Sequence, residues 1–221
     1  MVIDHAAVIF RTQLPDAVYL TMRCMGRISF PVFCFTLVEG FFHSSNQNRY
    51  LTRLALFAVL SEIPFDLALK GTFWNIIHHH SIQTVMDWSA QNVFFTLSLG
   101  FVAMMIMDRC QDDTPRILIT VIVFSLAGEI LQCDYGSTGI ITILLFYLVR
   151  KYGRLPMIGA YLPLMLLGLR SSTQPACILS FPLLHSYNGE KGRGFRYFFY
   201  IAYPVHLTLL LFLRYGIQSL R

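Results

Sequence analysis

Apolar runs separated by short polar stretches set the pattern of this chain. The first run, 1–10 (MVIDHAAVIF), is incomplete as a span, because a helix crossing a bilayer needs about 20 mostly apolar residues. Further runs fall at about 24–42, 51–68, 92–107, 116–132, 137–149, 156–169, 175–186 and 197–214. Several are short of a full span; such segments tilt, re-enter or lie inside a bundle. A polar connection, 69–91, interrupts the series and carries Trp74, Trp88 and the run His78–His80. The pattern predicts an all-α fold, a polytopic transmembrane helical bundle of about eight to nine spans, built as one integral membrane domain over 1–221. No pair of matching halves is visible, which weighs against an inverted-repeat transporter.

Composition agrees. Hydrophobic residues make up 55% of the chain and charged residues 13%, and the mean hydropathy is +0.57. A soluble domain carries about 25% charged residues. Seventeen Lys and Arg against twelve Asp and Glu give a net charge of +5. The basic residues fall in loops: Arg49 and Arg53, then Arg150, Lys151 and Arg154, then Lys191, Arg193 and Arg196. With nine alternating crossings these loops share one side. The positive-inside rule makes that side cytoplasmic, together with the start of the chain, and places the C-terminus outside. Dispersed basic residues point to lipid head groups as partners and argue against nucleic acid.

Five cysteines (Cys24, Cys34, Cys110, Cys133 and Cys177) form no CxxC pair, so neither a disulfide framework nor a metal site is expected. Three adjacent histidines at 78–80 lack the i, i+4 spacing of a helical metal site.

Ionisable residues inside the apolar runs carry the candidate chemistry, since a charge at the bilayer centre costs about 2.5–3.5 kcal/mol on insertion scales. The stretch 25–43, MGRISFPVFCFTLVEGFFH, holds Arg27 near one end and Glu39 and His43 at the other. Glu39 and His43 are four apart and share a helix face. SEIPFDL (61–67) places Glu62 and Asp66 four apart across Pro64, as partners for Arg27 or as a site for a cationic amine. In the last run Tyr203 and His206 are i, i+3, with Tyr200 beside them. In the first run Asp4 and His5 are neighbours. Helical neighbours point about 100° apart, so Asp4 does not orient His5 directly and instead pairs with Arg27 or Arg23. Arg23, one turn earlier than Arg27, reads as a side chain that snorkels to the head groups. Asn92 reads as a helix N-cap. Asp134-Tyr135-Gly136 and Tyr187-Asn188-Gly189 read as turns. For each ionisable residue the structural alternative is an interfacial helix end or a packing hydrogen bond.

GRISFPVFCFTLVEGFFH resembles the signature of the TraX family of integral membrane proteins, roughly G-R-(I/L)-(A/S)-F-P-(I/V)-F-x-F-x-(L/I)-V-E-G-F-x-H. The resemblance continues, in order, through SEIPFDL (61–67), NVFFTLSLG (92–100), DYGSTGI (134–140), YNGEKG (187–192) and YFFYIAYPVHL (197–207). It implies a membrane acyltransferase of the cell membrane, typified by the conjugative pilin N-acetylase. Acetyl-CoA is then the acyl donor, with no metal, and the acceptor is a pilin, another peptide or a glycan. Family members carry an apolar half-helix ending in a similar (M/V)-(L/I)-I-D-H, so the first helix of this chain reads as truncated at its N-terminus.

The implied roles are His5 and Asp4 in catalysis and Arg27 on the CoA or the thioester carbonyl, guanidinium being suited to phosphate by its fork. Glu39, His43, Glu62, Asp66, Asp134, Tyr135, Tyr203 and His206 are then acceptor-side candidates. The alternative from another class is a transporter or non-catalytic membrane component of a conjugation or secretion apparatus, in which the same residues line a path or a partner surface.

Overall fold

The structure, a computed structural model, describes residues 1–70, 89–111, 113–153, 156–190 and 197–219. The histidine run and both tryptophans lie outside the described residues. Those described are helical apart from turns and one isolated bridge between Gln91 and Cys133. The α-helices are α1 (Val2–Ile9), α2 (Asp16–Arg27), α3 (Ser29–His43), α4 (Gln47–Leu69), α5 (Val93–Arg109), α6 (Thr114–Ile130), α7 (Gly136–Tyr152), α8 (Leu162–Leu167), α9 (Phe181–His185) and α10 (Phe198–Ser219). Short 3-10 helices precede α8 (Met157–Tyr161) and α9 (Gln174–Ser180).

Each apolar run becomes helix, but the ends are set by side chains that hydropathy does not register. Asn46 caps α4 by accepting from Arg49 N, Asn92 caps α5 by accepting from Phe94 N, and Asp113 caps α6 by accepting from Arg116 N. Gly153, at φ 61°, ends α7 in the left-handed conformation that glycine adopts without penalty. The second run does not begin near residue 24. It begins at Asp16, after Pro15, and α2 and α3 form a nearly continuous helix of 28 residues, Asp16–His43. Pro31 has no N–H to give the Arg27 carbonyl four residues back, and the helix is interrupted at Ile28.

Only Asp16–His43 and Phe198–Ile217 among the described residues are long and apolar enough to cross a membrane by themselves. Helices α5, α6 and α7 have 17 residues each, or about 25 Å, the lower limit for a span. The seventh and eighth runs break into short pieces of 3-10 and α-helix rather than two full spans. Of the eight to nine spans expected, several of them short, two are full-length spans among the described residues.

Helices α3, α5 and α7 pack around a core that includes Phe101, Met104, Ile140, Ile143 and Tyr147. Gly100 lets α5 approach α7: a methyl there would sit 2.5 Å from the Ile143 side chain. Helix α10 lies against α4, and α1 folds back on α2. The exterior is apolar. On α6, Leu118, Ile119, Ile122, Val123 and Leu126 are all exposed and Ile130 is 78% exposed; Phe199 and Phe212 of α10 and Leu169 after α8 are exposed as well. A soluble monomer rarely shows contiguous apolar surface on this scale.

Two of the three basic groups meet at one end of α3. Arg150 at the end of α7 pairs with Glu39 near the end of α3 at 2.7 Å, and α3 leads directly to Arg49 and Arg53. The third basic group, Lys191, Arg193 and Arg196, lies outside the described residues.

Candidate functional site

The site forms where the α1–α2 hairpin meets the α6–α7 turn and α10. Asp4 pairs with both arginines named for it from the sequence, Arg27 at 2.7 Å and Arg23 at 2.8 Å. The hairpin closes tightly enough for this because residue 26 is glycine. A methyl at Gly26 would overlap the Asp4 side chain. Gly26→Ala is thus expected to part α1 from α2 and lower stability by about 1–3 kcal/mol, the usual penalty of overpacking, despite alanine's better helix propensity. A lowered melting temperature in detergent checks this; an unchanged or raised one contradicts the close approach.

Arg27 is held on three sides. One terminal nitrogen donates to Asp4, and the other to the Tyr135 hydroxyl at 3.0 Å and the Gln174 amide oxygen at 3.4 Å. Its Nε is buried without a hydrogen-bond partner. Tyr135 stacks on Phe30 with ring centroids 3.8 Å apart and planes 7° from parallel. It does so from a left-handed backbone, φ 62°, which a non-glycine residue adopts at a cost of about 1–2 kcal/mol. Strain of this kind persists where the surroundings over-determine it, often at functional sites. Here the Phe30 stack and the Arg27 hydrogen bond hold the ring.

His5 comes from α1 and His206 from α10. Their rings lie 10° from parallel, with His5 Nδ1 2.8 Å from His206 Nε2. Tyr203 presents its edge to both rings, at 5.9 and 5.4 Å.

These groups surround a cavity of about 220 Å³. Asp4, His5, Arg23, Arg27, Asp134 and Tyr135 supply its polar wall. Phe30, Phe33, Phe65 and Val93 supply its apolar wall. Asp134 opens onto the cavity but has protein around it. Its side chain is accessible from the cavity, and the Arg27 guanidinium nearby favours its charged form. No ion pair forms to Asp134 among the described residues. Nor do three or more His, Cys, Asp or Glu among them cluster to hold a metal ion.

The site gathers Asp4, His5, Arg27, Asp134, Tyr135 and Tyr203 around one cavity, with His206 behind His5. Other candidates lie elsewhere. Glu39 and His43 are twelve and sixteen residues beyond Arg27 on the same long helix, about 18 Å or more along its axis. Glu39 is engaged by Arg150 at 2.7 Å and by His43 at 3.5 Å. Glu62 does not partner Arg27: one carboxylate oxygen accepts from Asn92 N at 3.2 Å and Asn92 Nδ2 at 2.5 Å, tying α4 to α5. Asp66 pairs with Lys70 at 2.8 Å. Arg23 is no snorkelling side chain, since its guanidinium turns inward to Asp4 and lines the cavity. Gln174 lies in a 3-10 helix with no motif to announce it, and the Phe30–Tyr135 stack joins residues 105 apart. Only the position of Phe30 inside the first signature and of Tyr135 inside DYGSTGI marked either.

A family model described as TraX protein matches residues 1–214. The chain is 37% identical over 230 residues to the probable fimbrial assembly protein FimC, serogroup H1, of Dichelobacter nodosus, covering 95% of this chain and 89% of the relative. No solved structure matches.

Proposed function

The chain belongs to the TraX family, and from that premise we propose that it is an integral membrane acyltransferase moving an acetyl group from acetyl-CoA to an amine or hydroxyl of its acceptor. The observation that carries this reading is the pairing of His5 with His206 beside a cavity walled by Arg27 and Asp134, inside a bundle whose exterior is apolar. A neutral histidine on a cavity wall is the usual general base.

In the proposed reaction His5 accepts a proton from the acceptor N–H or O–H as that atom attacks the thioester carbonyl carbon. The carbonyl oxygen gains negative charge, which the Arg27 guanidinium stabilises. The C–S bond then breaks, and the CoA sulfur leaves with the proton held by His5, giving the acetylated acceptor and free CoA. Asp134 offers a carboxylate to the ammonium of an amine acceptor, which gives up one proton to solvent water before the free amine attacks. Ligand pockets that enclose a drug-sized molecule measure about 300–1,000 Å³. A cavity near 220 Å³ takes the reacting ends of donor and acceptor and leaves the CoA nucleotide outside.

The exposed apolar faces of α6, α8 and α10 are placed against lipid, in a multi-pass arrangement of the bacterial cytoplasmic membrane with the basic loops inside. The shorter helices complete the bundle as tilted or partial spans. The relative's name, a probable fimbrial assembly protein, supports a fimbrial or pilin subunit as acceptor. That same name favours a second reading, a non-catalytic assembly component. Calorimetry of acetyl-CoA with the purified protein in detergent separates the two. Saturable binding supports the enzyme, and its absence in a folded sample supports the assembly component.

A further inference from the structure

The hydrogen bonds behind His5 define which of its nitrogens carries a proton. His206 Nδ1 lies 2.8 Å from the main-chain carbonyl of Ala202, one turn back on α10. A carbonyl oxygen only accepts, so His206 Nδ1 bears the hydrogen. The Nε2 of a neutral His206 ring is then an acceptor, and His5 Nδ1, 2.8 Å away, must donate to it. A neutral His5 is left with its lone pair on Nε2. His5 lines the cavity and His206 does not. The lone pair therefore sits on the nitrogen that is not tied to α10, and no hydrogen bond from a described residue occupies it.

We propose that His206 is a positioning residue that locks His5 in the Nδ1–H tautomer, so that Nε2 of His5 meets the acceptor as an unprotonated base. This deepens the acyltransferase reading and rests on it for its catalytic meaning. The helix carbonyl, His206 and His5 form a relay of orientation in which the backbone of α10 fixes one ring and that ring fixes the next. The near-parallel planes, 10° apart, and the Tyr203 edge against both rings keep either imidazole from flipping. Asp4, although adjacent in sequence, plays no part in orienting the ring, because both its oxygens face arginines.

The test is nitrogen-15 NMR of histidine-labelled protein in detergent, with the His5 and His206 signals assigned from His5→Asn and His206→Leu. In the wild type both rings are expected to be Nδ1-protonated with unprotonated Nε2. His206→Gln keeps an acceptor oxygen near the position of Nε2 and is expected to leave His5 in the Nδ1–H form; His206→Leu is expected to release it to the Nε2–H form. In acetyl transfer His206→Leu should lower kcat, by up to the factor of about 10²–10⁴ that a general base contributes, with KM for acetyl-CoA unchanged. His206→Gln should retain most of the rate. An Nε2-protonated His5 in the wild type overturns the proposal, and that spectrum needs no variant to fold. A His5 tautomer unchanged in His206→Leu overturns it too. The expected tautomers without acetyl transfer by the wild type support the orientation of His5 and overturn the acyltransferase reading instead.

Discussion

His5→Ala should reduce acetyl transfer by about 10²–10⁴-fold while acetyl-CoA binding persists. The ring is small and among the described residues its hydrogen bond is to His206, so its loss leaves the Asp4–arginine cluster and the helix core intact. The retained binding makes the prediction specific. A general base acts on the acceptor proton in the transition state, so its removal lowers kcat and kcat/KM together and spares ground-state binding. His206 stays in place, with an unmet acceptor facing the space vacated by the imidazole. Rates and calorimetry on one preparation read both quantities. Loss of acetyl-CoA binding would make His5 a ligand of the donor, and an unaltered rate would remove it from the chemistry.

Arg27→Ala should do more damage of a different kind. Arg27 joins α2 to Asp4 of α1, to Tyr135 in the α6–α7 turn and to Gln174 before α9. Removing one partner of a buried ion pair costs about 3–5 kcal/mol, because the other charge is left without its compensation. Arg23 still faces Asp4 and softens that loss. A melting temperature lower by on the order of 10 °C is expected for a chain of this size. Tyr135 also loses the bond that helps to hold its left-handed backbone, so the cavity wall should loosen and acetyl-CoA binding should fall. Arg27→Lys should recover little, since one ammonium cannot span the partners that the planar fork reaches. A melting temperature within a degree or two of wild type for Arg27→Ala would show that these contacts carry little energy.

The helical character of the chain was legible as its series of apolar runs, and Asn92 announced its role as a cap. The start of the long helix was not. Residues 16–23 mix polar and apolar positions, and what makes them helical is α1 packed along them, with Asp4 meeting the guanidinium groups. Hydropathy measures a segment against solvent and does not register a neighbour that neutralises it. The site was legible in part for a similar reason. Periodicity places residues on a helix face but gives no depth partner, so Glu39 and His43 stand among the acceptor-side candidates, whereas the helix carries them about 18 Å from Arg27, where Arg150 engages Glu39. The arginine partners of Asp4 could be named because adjacent helical positions exclude His5. Arg27, one of the two partners the sequence suggests for Glu62, is not the one it meets, because the bond from Asn92 crosses between helices separated by the long polar connection. His206 stood out as a polar residue in an apolar run, but its 2.8 Å approach to His5 spans almost the entire chain, and no local pattern encodes a contact of that range.

The most direct test of the central claim follows radiolabelled acetyl from acetyl-CoA into envelope polypeptides, comparing membranes that contain the wild type with membranes that contain His5→Ala at equal abundance. The acyltransferase account predicts covalent label on an acceptor with the wild type and little or none with His5→Ala. Equal labelling by both, or no labelling by a folded wild type supplied with its fimbrial or pilin subunits, would contradict it.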